Sequence, residues 1–305
     1  MNSKICCVIM CYGEHWRKIG KCAVDSFKKW HPDVELFVAD ENCIIEYEDS
    51  ELCKLINSHQ GLQNKLGPMK YAIAYHIAEK YNYDKIIILG ADTITCSRLD
   101  EFIDNNEDDV LASLDFPAQH EIGKIKTAIW EWKEDENGIV NQFNDSAYIN
   151  ADVICFNNVD AIRDIIDIAT EREYHWGEQG GLNELFAQQK YSFEVVDGPE
   201  RLKNVFYNAR SKGHVQGLNV SGKFHPNRLN SNCNMTKFYV KDNKLFSKDN
   251  KQIKVWHYME GFGVSKQKMI DVLNYYIFDI FNEETKNFFE KECDCGNFFN
   301  ERYED

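Results

Sequence analysis

The stretch Lys85-Ile86-Ile87-Ile88-Leu89-Gly90-Ala91-Asp92-Thr93 decides how the rest of the chain is read. An unbroken apolar run of this length, rich in β-branched residues, is the pattern of a strand buried on both faces, as in the parallel sheet of an α/β protein. Its end at Gly90-Ala91-Asp92 puts a carboxylate just past the strand, and open α/β sheets bind ligands beyond the carboxyl ends of their strands. An aspartate there serves equally as a turn or helix cap, so position alone leaves both roles open. Before the strand, Ala72, Ile73, Tyr75, Ile77 and Ala78 have helical spacing, which predicts a helix over Met69 to Tyr81.

The same alternation runs outward in both directions. Ile5 to Met10 is another continuous apolar run and stops at the loop signal Cys11-Tyr12-Gly13. Ile19, Ala23 and Phe27 give a helical face to Trp16 to Trp30, His31-Pro32-Asp33 breaks it, and Val34 to Val38 reads as the next strand, completing a βαβ unit. Further strands are expected at Val110 to Leu114 and Asp152 to Phe156, with helices at Val159 to Thr170 and Gly180 to Gln188. Strands alternating with helices indicate an α/β sheet. From Ser265 onward the chain reads as one or two helices whose aromatic face, including Tyr275, Tyr276, Phe278 and Phe281, is read as packing. We therefore expect a main domain over 1–264 and a helical C-terminal extension over 265–305.

Composition excludes several classes of function. With 43% hydrophobic residues among 305, and only 17 Gly and 5 Pro, the chain has material for a core and is no linker or fibrous protein. Lys and Arg number 35 against 50 Asp and Glu, a net charge of −15, which argues against nonspecific binding of nucleic acid or an anionic membrane. No apolar run approaches the roughly 20 residues that span a bilayer, and Lys4 to Met10 is too short for a secretory signal. The cysteines number 11, an odd count without CxxC spacing, and read as reduced thiols of a cytoplasmic protein.

One segment reverses the charge balance. Between Arg201 and Lys254 the only acids are Asp242 and Asp249, among many Lys and Arg. Lys241, Lys244, Lys248, Lys251 and Lys254 surround the turn signals Asp242-Asn243 and Asp249-Asn250 and read as hairpin lysines guarding strand edges. Arg201, Lys203, Arg210, Lys212, Lys223 and Arg228 stand among Gly, Asn and Pro, where an anionic ligand is the alternative to a solvated surface. Loops over Asp197 to Cys233 are the expected seat of specificity.

Four motifs occur in order: Gly90-Ala91-Asp92-Thr93, Tyr148-Ile149-Asn150-Ala151-Asp152-Val153, Glu178-Gln179-Gly180-Gly181-Leu182-Asn183 and Val255-Trp256-His257-Tyr258. Over about residues 1 to 265 they resemble the motifs of the glycogenin-like retaining glycosyltransferase family. The resemblance implies a GT-A fold, with a mixed, mostly parallel central sheet flanked by helices. It implies transfer of a sugar from a nucleotide-sugar donor, a UDP-sugar, to a glycan, protein or small-molecule acceptor. It also implies Asp92 and His257 as ligands of Mn²⁺ or Mg²⁺, with Ala91 beside them at the donor. Asn150, Asp152, Glu178 and Gln179 then meet the donor sugar, Gln179 and Glu178 as catalytic residues, and Asp115 occupies a loop that touches the same sugar. Tyr12 is a candidate for stacking on the nucleobase and Lys70 for reaching the phosphates.

Two positions depart from the family pattern. Gly90 stands where the first aspartate is expected, which removes one metal ligand. After His257 the glycines fall at Gly261 and Gly263 and the lysine at Lys266, displaced from its family spacing, so Lys266, Lys223 or Arg228 is left to neutralise the diphosphate. A hydrogen-bonded strand-end histidine remains the alternative role for His257, and a first-turn charge favoured by the helix dipole the alternative for Glu178 and Gln179. A nucleotide-sugar or polyanion binder without catalysis is the competing function, and Gly90 favours it. An Asp-x-Asp-x-Thr phosphatase is excluded because Ile94, not an acid, stands two residues after Asp92. A nucleotidyltransferase is disfavoured because Cys11-Tyr12-Gly13-Glu14-His15 is no glycine-rich basic loop.

Overall fold

The computed structural model describes residues 3–42, 50–59, 65–116, 148–171, 177–196, 205–206, 209–210, 238–241, 244–247 and 252–257. Its elements begin with β1 (Ile5–Met10), α1 (Glu14–Trp30), β2 (Glu35–Ala39), α2 (Glu51–Ser58), α3 (Leu66–Tyr81), β3 (Lys85–Leu89), β4 (Thr93–Thr95) and α4 (Asp100–Asp104). They continue with β5 (Val110–Phe116), β6 (Tyr148–Phe156), α5 (Asp160–Glu171), α6 (Glu178–Gln188), β7 (Phe193–Val195), β8 (Val205–Phe206) and β9 (Ala209–Arg210). The last four are β10 (Phe238–Lys241), β11 (Lys244–Ser247), β12 (Gln252–Ile253) and β13 (Val255–His257). Residues 258–305, including the expected helical extension and Lys266, lie outside the described residues. No helix among the described residues is long and apolar enough to cross a membrane.

The described residues fall into two compact units that interleave along the chain. The first draws on Met1–Tyr12, Val34–Leu89 and Asp100–Gly198 and contains a six-stranded sheet in the order β2-β1-β3-β6-β5-β7. β1 is parallel to both β2 and β3, and β5 is parallel to β7, whereas β6 runs antiparallel to β3 and β5. The sheet is thus mixed and mostly parallel. Its central strands bury alternate residues on opposite faces, as the pleat requires. Cys6, Val8, Ile86, Ile88, Ala112, Ile154 and Phe156 join one core with α2, α3, α5 and α6. Cys7, Ile9, Ile87, Leu89, Leu111, Val153 and Cys155, on the alternate positions, are also fully buried. Burying each Ile or Leu contributes about 1.5–3 kcal/mol, which is why an uninterrupted apolar run marks the middle of this sheet.

Lys85 opens β3 and is itself 1% exposed. Its Nζ donates to the carbonyls of Phe102, Ile103 and Asn105 at 3.1, 2.8 and 2.6 Å. A lysine at the strand's first position therefore caps the carbonyl end of α4, where a positive charge is favoured. Burial pushes its pKa below the ordinary lysine value.

The second unit draws on Gly13–Asp33, Gly90–Leu99 and Pro199–Asp305. Here α1 is tied to β4, because Ser26 Oγ accepts from the Thr95 backbone N–H at 3.0 Å and donates to the Ala23 carbonyl at 3.1 Å. His31, stacked on Phe27, accepts from the Leu99 N–H through Nε2 at 3.1 Å. Two small sheets follow, in the orders β4-β13-β9 and β10-β11-β12-β8. Each holds one parallel pairing, at the same offset: Gln252 and Ile253 match Val205 and Phe206 in one, and Trp256 and His257 match Ala209 and Arg210 in the other. β10 and β11 form the hairpin expected at Asp242-Asn243, with Lys241 opposite Lys244. Lys254 differs from the expected edge guard: it is 8% exposed and its Nζ donates to the Arg98 carbonyl at 2.8 Å, because its position between β12 and β13 turns it inward.

Candidate functional site

Two clusters of polar side chains stand out, one in each unit. In the second unit, the turn after β3 is closed by the Thr93 hydroxyl, which donates to the Gly90 carbonyl at 2.8 Å. Thr93 thus does the capping that Asp92 was equally suited to do. β4 then pairs antiparallel with β13, with Thr93 opposite His257, and this register brings the neighbouring Asp92 to the histidine. His257 Nε2 faces Asp92 Oδ1 at 3.2 Å, with the His257 side chain 2% and the Asp92 side chain 14% exposed. On the other flank of β13, β9 places Arg210 in register with His257. The carboxylate and imidazole suit a borderline divalent cation. Among the described residues no group of three or more His, Cys, Asp or Glu is arranged to hold a metal ion.

The first unit contains a lysine with two carboxylates. Gly177, at φ 56 and ψ −112, makes a turn that a residue with a side chain resists, and it delivers Glu178 to the first position of α6. Lys70, on α3, is paired with Asp152 and lies 3.6 Å from Glu178 Oε1. Burial drives the Glu178 pKa above the ordinary glutamate value, with Asp152 adding to the rise and Lys70 opposing it. The Asp152 side chain is 32% exposed against 13% for Glu178, so Asp152 is the more accessible acid.

Beside these charges β6 leaves its ladder. Ala112 pairs with Ile154 but Leu114 pairs with Ile149, so Asn150, Ala151 and Asp152 fall in a bulge opposite β5. Side chains satisfy the backbone there. Gln179 Oε1 accepts from the Ala151 N–H at 3.1 Å and from Asn150 Nδ2 at 3.2 Å. Asn183, one turn along α6, accepts from the Ile149 N–H at 2.8 Å and donates to the Ile149 carbonyl at 2.9 Å. Tyr71 donates to the Ala151 carbonyl at 3.0 Å, and Asn150 Oδ1 accepts from the Asp152 N–H at 2.9 Å. Bulges commonly re-aim side chains beside functional sites. Here two amides of one helix hold the bulge that presents Asp152.

The motif residues thus gather in two groups, Asp92 with His257, and Lys70, Asn150, Asp152, Glu178 and Gln179 together. Lys70 meets carboxylates, and Asn150 and Gln179 are buried with their amides turned into the bulge. Ala91 is buried in the turn before Asp92, and Tyr12 is 39% exposed after β1. Asp115 lies on β5, but its side chain is outside those described; Arg201, Lys203, Lys212, Lys223 and Arg228 are outside the described residues altogether. Sequence reasoning overlooked Tyr71 and Gly67 as parts of the site and gave Asn183 no role of its own. Asn183 stands four residues after Gln179, a spacing that puts both amides on one helix face and was available as a signal.

The fold is similar to that of a solved glycosyltransferase. The bifunctional glycosyltransferase WbbM, in its apo form, matches 85% of this chain and 46% of its own, with a TM-score of 0.52 and 14% sequence identity. This chain thus spans about half the length of the WbbM structure. Galactosyltransferase LgtC, in complex with donor and acceptor sugar analogs, matches 83% of this chain and 86% of its own, with a TM-score of 0.41 and 16% identity. No protein-family model matches the sequence, and no curated protein does. The likeness is one of fold, the GT-A type that the motifs implied.

Proposed function

We propose that the chain is a glycosyltransferase that moves a sugar from a UDP-sugar to an acceptor hydroxyl with retention of configuration. The observation that supports this reading most is the contact between Asp92 and His257 at 3.2 Å, a carboxylate and an imidazole from distant parts of the chain, beyond a buried strand of a GT-A fold. When bound, Mn²⁺ or Mg²⁺ supplies Lewis-acid neutralisation of the departing diphosphate, and the mixed nitrogen and oxygen donors lean toward Mn²⁺. Asp92 and His257 would hold that ion, with the backbone of Arg210 in register beside His257. Asp152 and Glu178 accept hydrogen bonds from sugar hydroxyls, while Lys70 keeps the two acids together. Gln179 and Asn150 fix the bulge that carries Asp152. The leaving diphosphate accepts the acceptor's proton on the face from which it departs, so no strong protein base is required.

Calorimetry of UDP binding tests the assignment. Mn²⁺ is expected to tighten binding, and Asp92→Asn and His257→Ala are each expected to lose most of that gain. Unchanged metal dependence in both variants removes the pair from the role. Gly90, in place of a second carboxylate, favours one other reading, a nucleotide-sugar binder without turnover. Incubation with a donor panel separates the two, since transfer or hydrolysis of the sugar appears only under the first, and NMR of the first-formed product reads its anomeric configuration.

A further inference from the structure

Gly67 occupies the second position of α3, a place where glycine has no conformational advantage. Glycine inside a helix ordinarily weakens it relative to alanine, so its presence calls for a local reason. That reason is steric. A Cβ built on Gly67 would fall within the carboxylate of Glu178, overlapping its carbon and both oxygens. The glutamate reaches this spot from the first position of α6, and Lys70, three residues along α3, lies 3.6 Å from its Oε1. The carboxylate is thus seated at the amino-terminal ends of two helices and beside an ammonium, an arrangement that opposes, without overcoming, the rise that burial gives its pKa. α3 has no acidic residue of its own in its first turn.

We infer that Gly67 is the positioning residue for Glu178: its missing side chain is the space in which the carboxylate sits, and α3 cannot carry a larger residue there without expelling it. The inference deepens the glycosyltransferase reading and rests on it for one point, that the seated carboxylate contacts the donor sugar. It predicts that a methyl group at position 67 acts on the site through Glu178 alone.

The test compares Gly67→Ala, Glu178→Asp, Glu178→Ala and the two double variants, using the whole protein. In the Glu178→Ala background, Gly67→Ala should raise the melting temperature, as a helical glycine replacement normally does; with Glu178 present the change should differ from this by more than additivity allows, because the methyl must first displace the carboxylate. Carbon NMR of the side-chain carboxyls, with the Glu178 signal identified by its loss in Glu178→Gln, should show the Glu178 titration midpoint falling toward the ordinary glutamate range in Gly67→Ala. Shortening the acid by one methylene makes room for the methyl. Gly67→Ala combined with Glu178→Asp should therefore bind UDP-glucose or another accepted UDP-sugar no worse than Glu178→Asp alone, whereas Gly67→Ala alone loses about tenfold or more of the affinity added by the sugar over UDP. Additive losses, or a Glu178 midpoint that is unmoved or higher, overturn the inference. If the melting and NMR couplings appear but no UDP-sugar binds the wild-type protein, Gly67 still positions Glu178 and it is the glycosyltransferase reading that falls.

Discussion

The amide of Asn183 shows how much one side chain can carry. It is fully buried and meets both backbone polar groups of Ile149, standing in for a missing neighbour strand. Asn183→Ala would orphan a buried N–H and a buried carbonyl together, and each such group costs about 1–3 kcal/mol. We expect a loss of about 2–4 kcal/mol in urea unfolding, with the bulge at Asn150 to Asp152 loosened. Glu178 gives a pH-dependent counterpart. Its pKa is raised in the folded protein, so the native state binds the proton more tightly than the unfolded chain does, and stability from this group falls as pH rises from the ordinary glutamate value through the raised one. Glu178→Gln removes that decline. Its stability relative to wild type should therefore improve across this window and level off above it, as measured by thermal melts over a pH series; a constant difference at all pH values would contradict the assigned shift. The motif residues themselves were legible in the sequence through the resemblance of four ordered motifs to a family pattern, and Asp92 also through its place just past an apolar strand. Their partners were not, since a backbone group of Ile149 or a void at Gly67 leaves no mark in residue type.

Among the elements, the contact of α5 with α6 is limited by a glycine. A Cβ on Gly181 would stand 2.8 Å from the Ile165 carbonyl oxygen and 3.1 Å from the Ala169 Cβ. Helix propensity alone favours alanine there by about 1 kcal/mol, but a backbone carbonyl cannot turn aside and overpacking costs about 1–3 kcal/mol. Gly181→Ala should therefore lower stability in denaturant unfolding. A rise would mean that the helices separate freely. Elements with a single strong period were read closely from sequence: β1 matches its apolar run, β3 adds only Lys85 before its own, and α3 was anticipated from its spacing with only its first turn missed. β6 was expected from Asp152, yet it starts at Tyr148, because the bulge interrupts the apolar run. Strand direction was hidden as well. An apolar run carries no sign of which way it points, so antiparallel β6 between β3 and β5 emerges only from the assembled sheet.

At the scale of the whole molecule, the cysteines among the described residues lie in the core. Cys6, Cys7, Cys11, Cys22, Cys53, Cys96 and Cys155 are free and buried. Burial pushes the thiols of Cys11, Cys96 and Cys155 up to about 12 and raises those of Cys6, Cys7 and Cys22 as well. Since the thiolate is the reactive form, a native-state titration with a disulfide reagent should leave these seven unmodified until denaturant is added; rapid reaction at any of them would contradict their burial. The sheet order also bears on the making of the protein. β3 meets β1 on one side as soon as both have left the ribosome, but its other side belongs to β6, which begins only at Tyr148. During synthesis the apolar edge from Ile86 to Leu89 therefore waits, unpaired, through the translation of the intervening chain, and such an edge invites pairing with other molecules. The nascent chain is most in need of a chaperone in that interval, and a ribosome stalled before Tyr148 would release a fragment prone to aggregate.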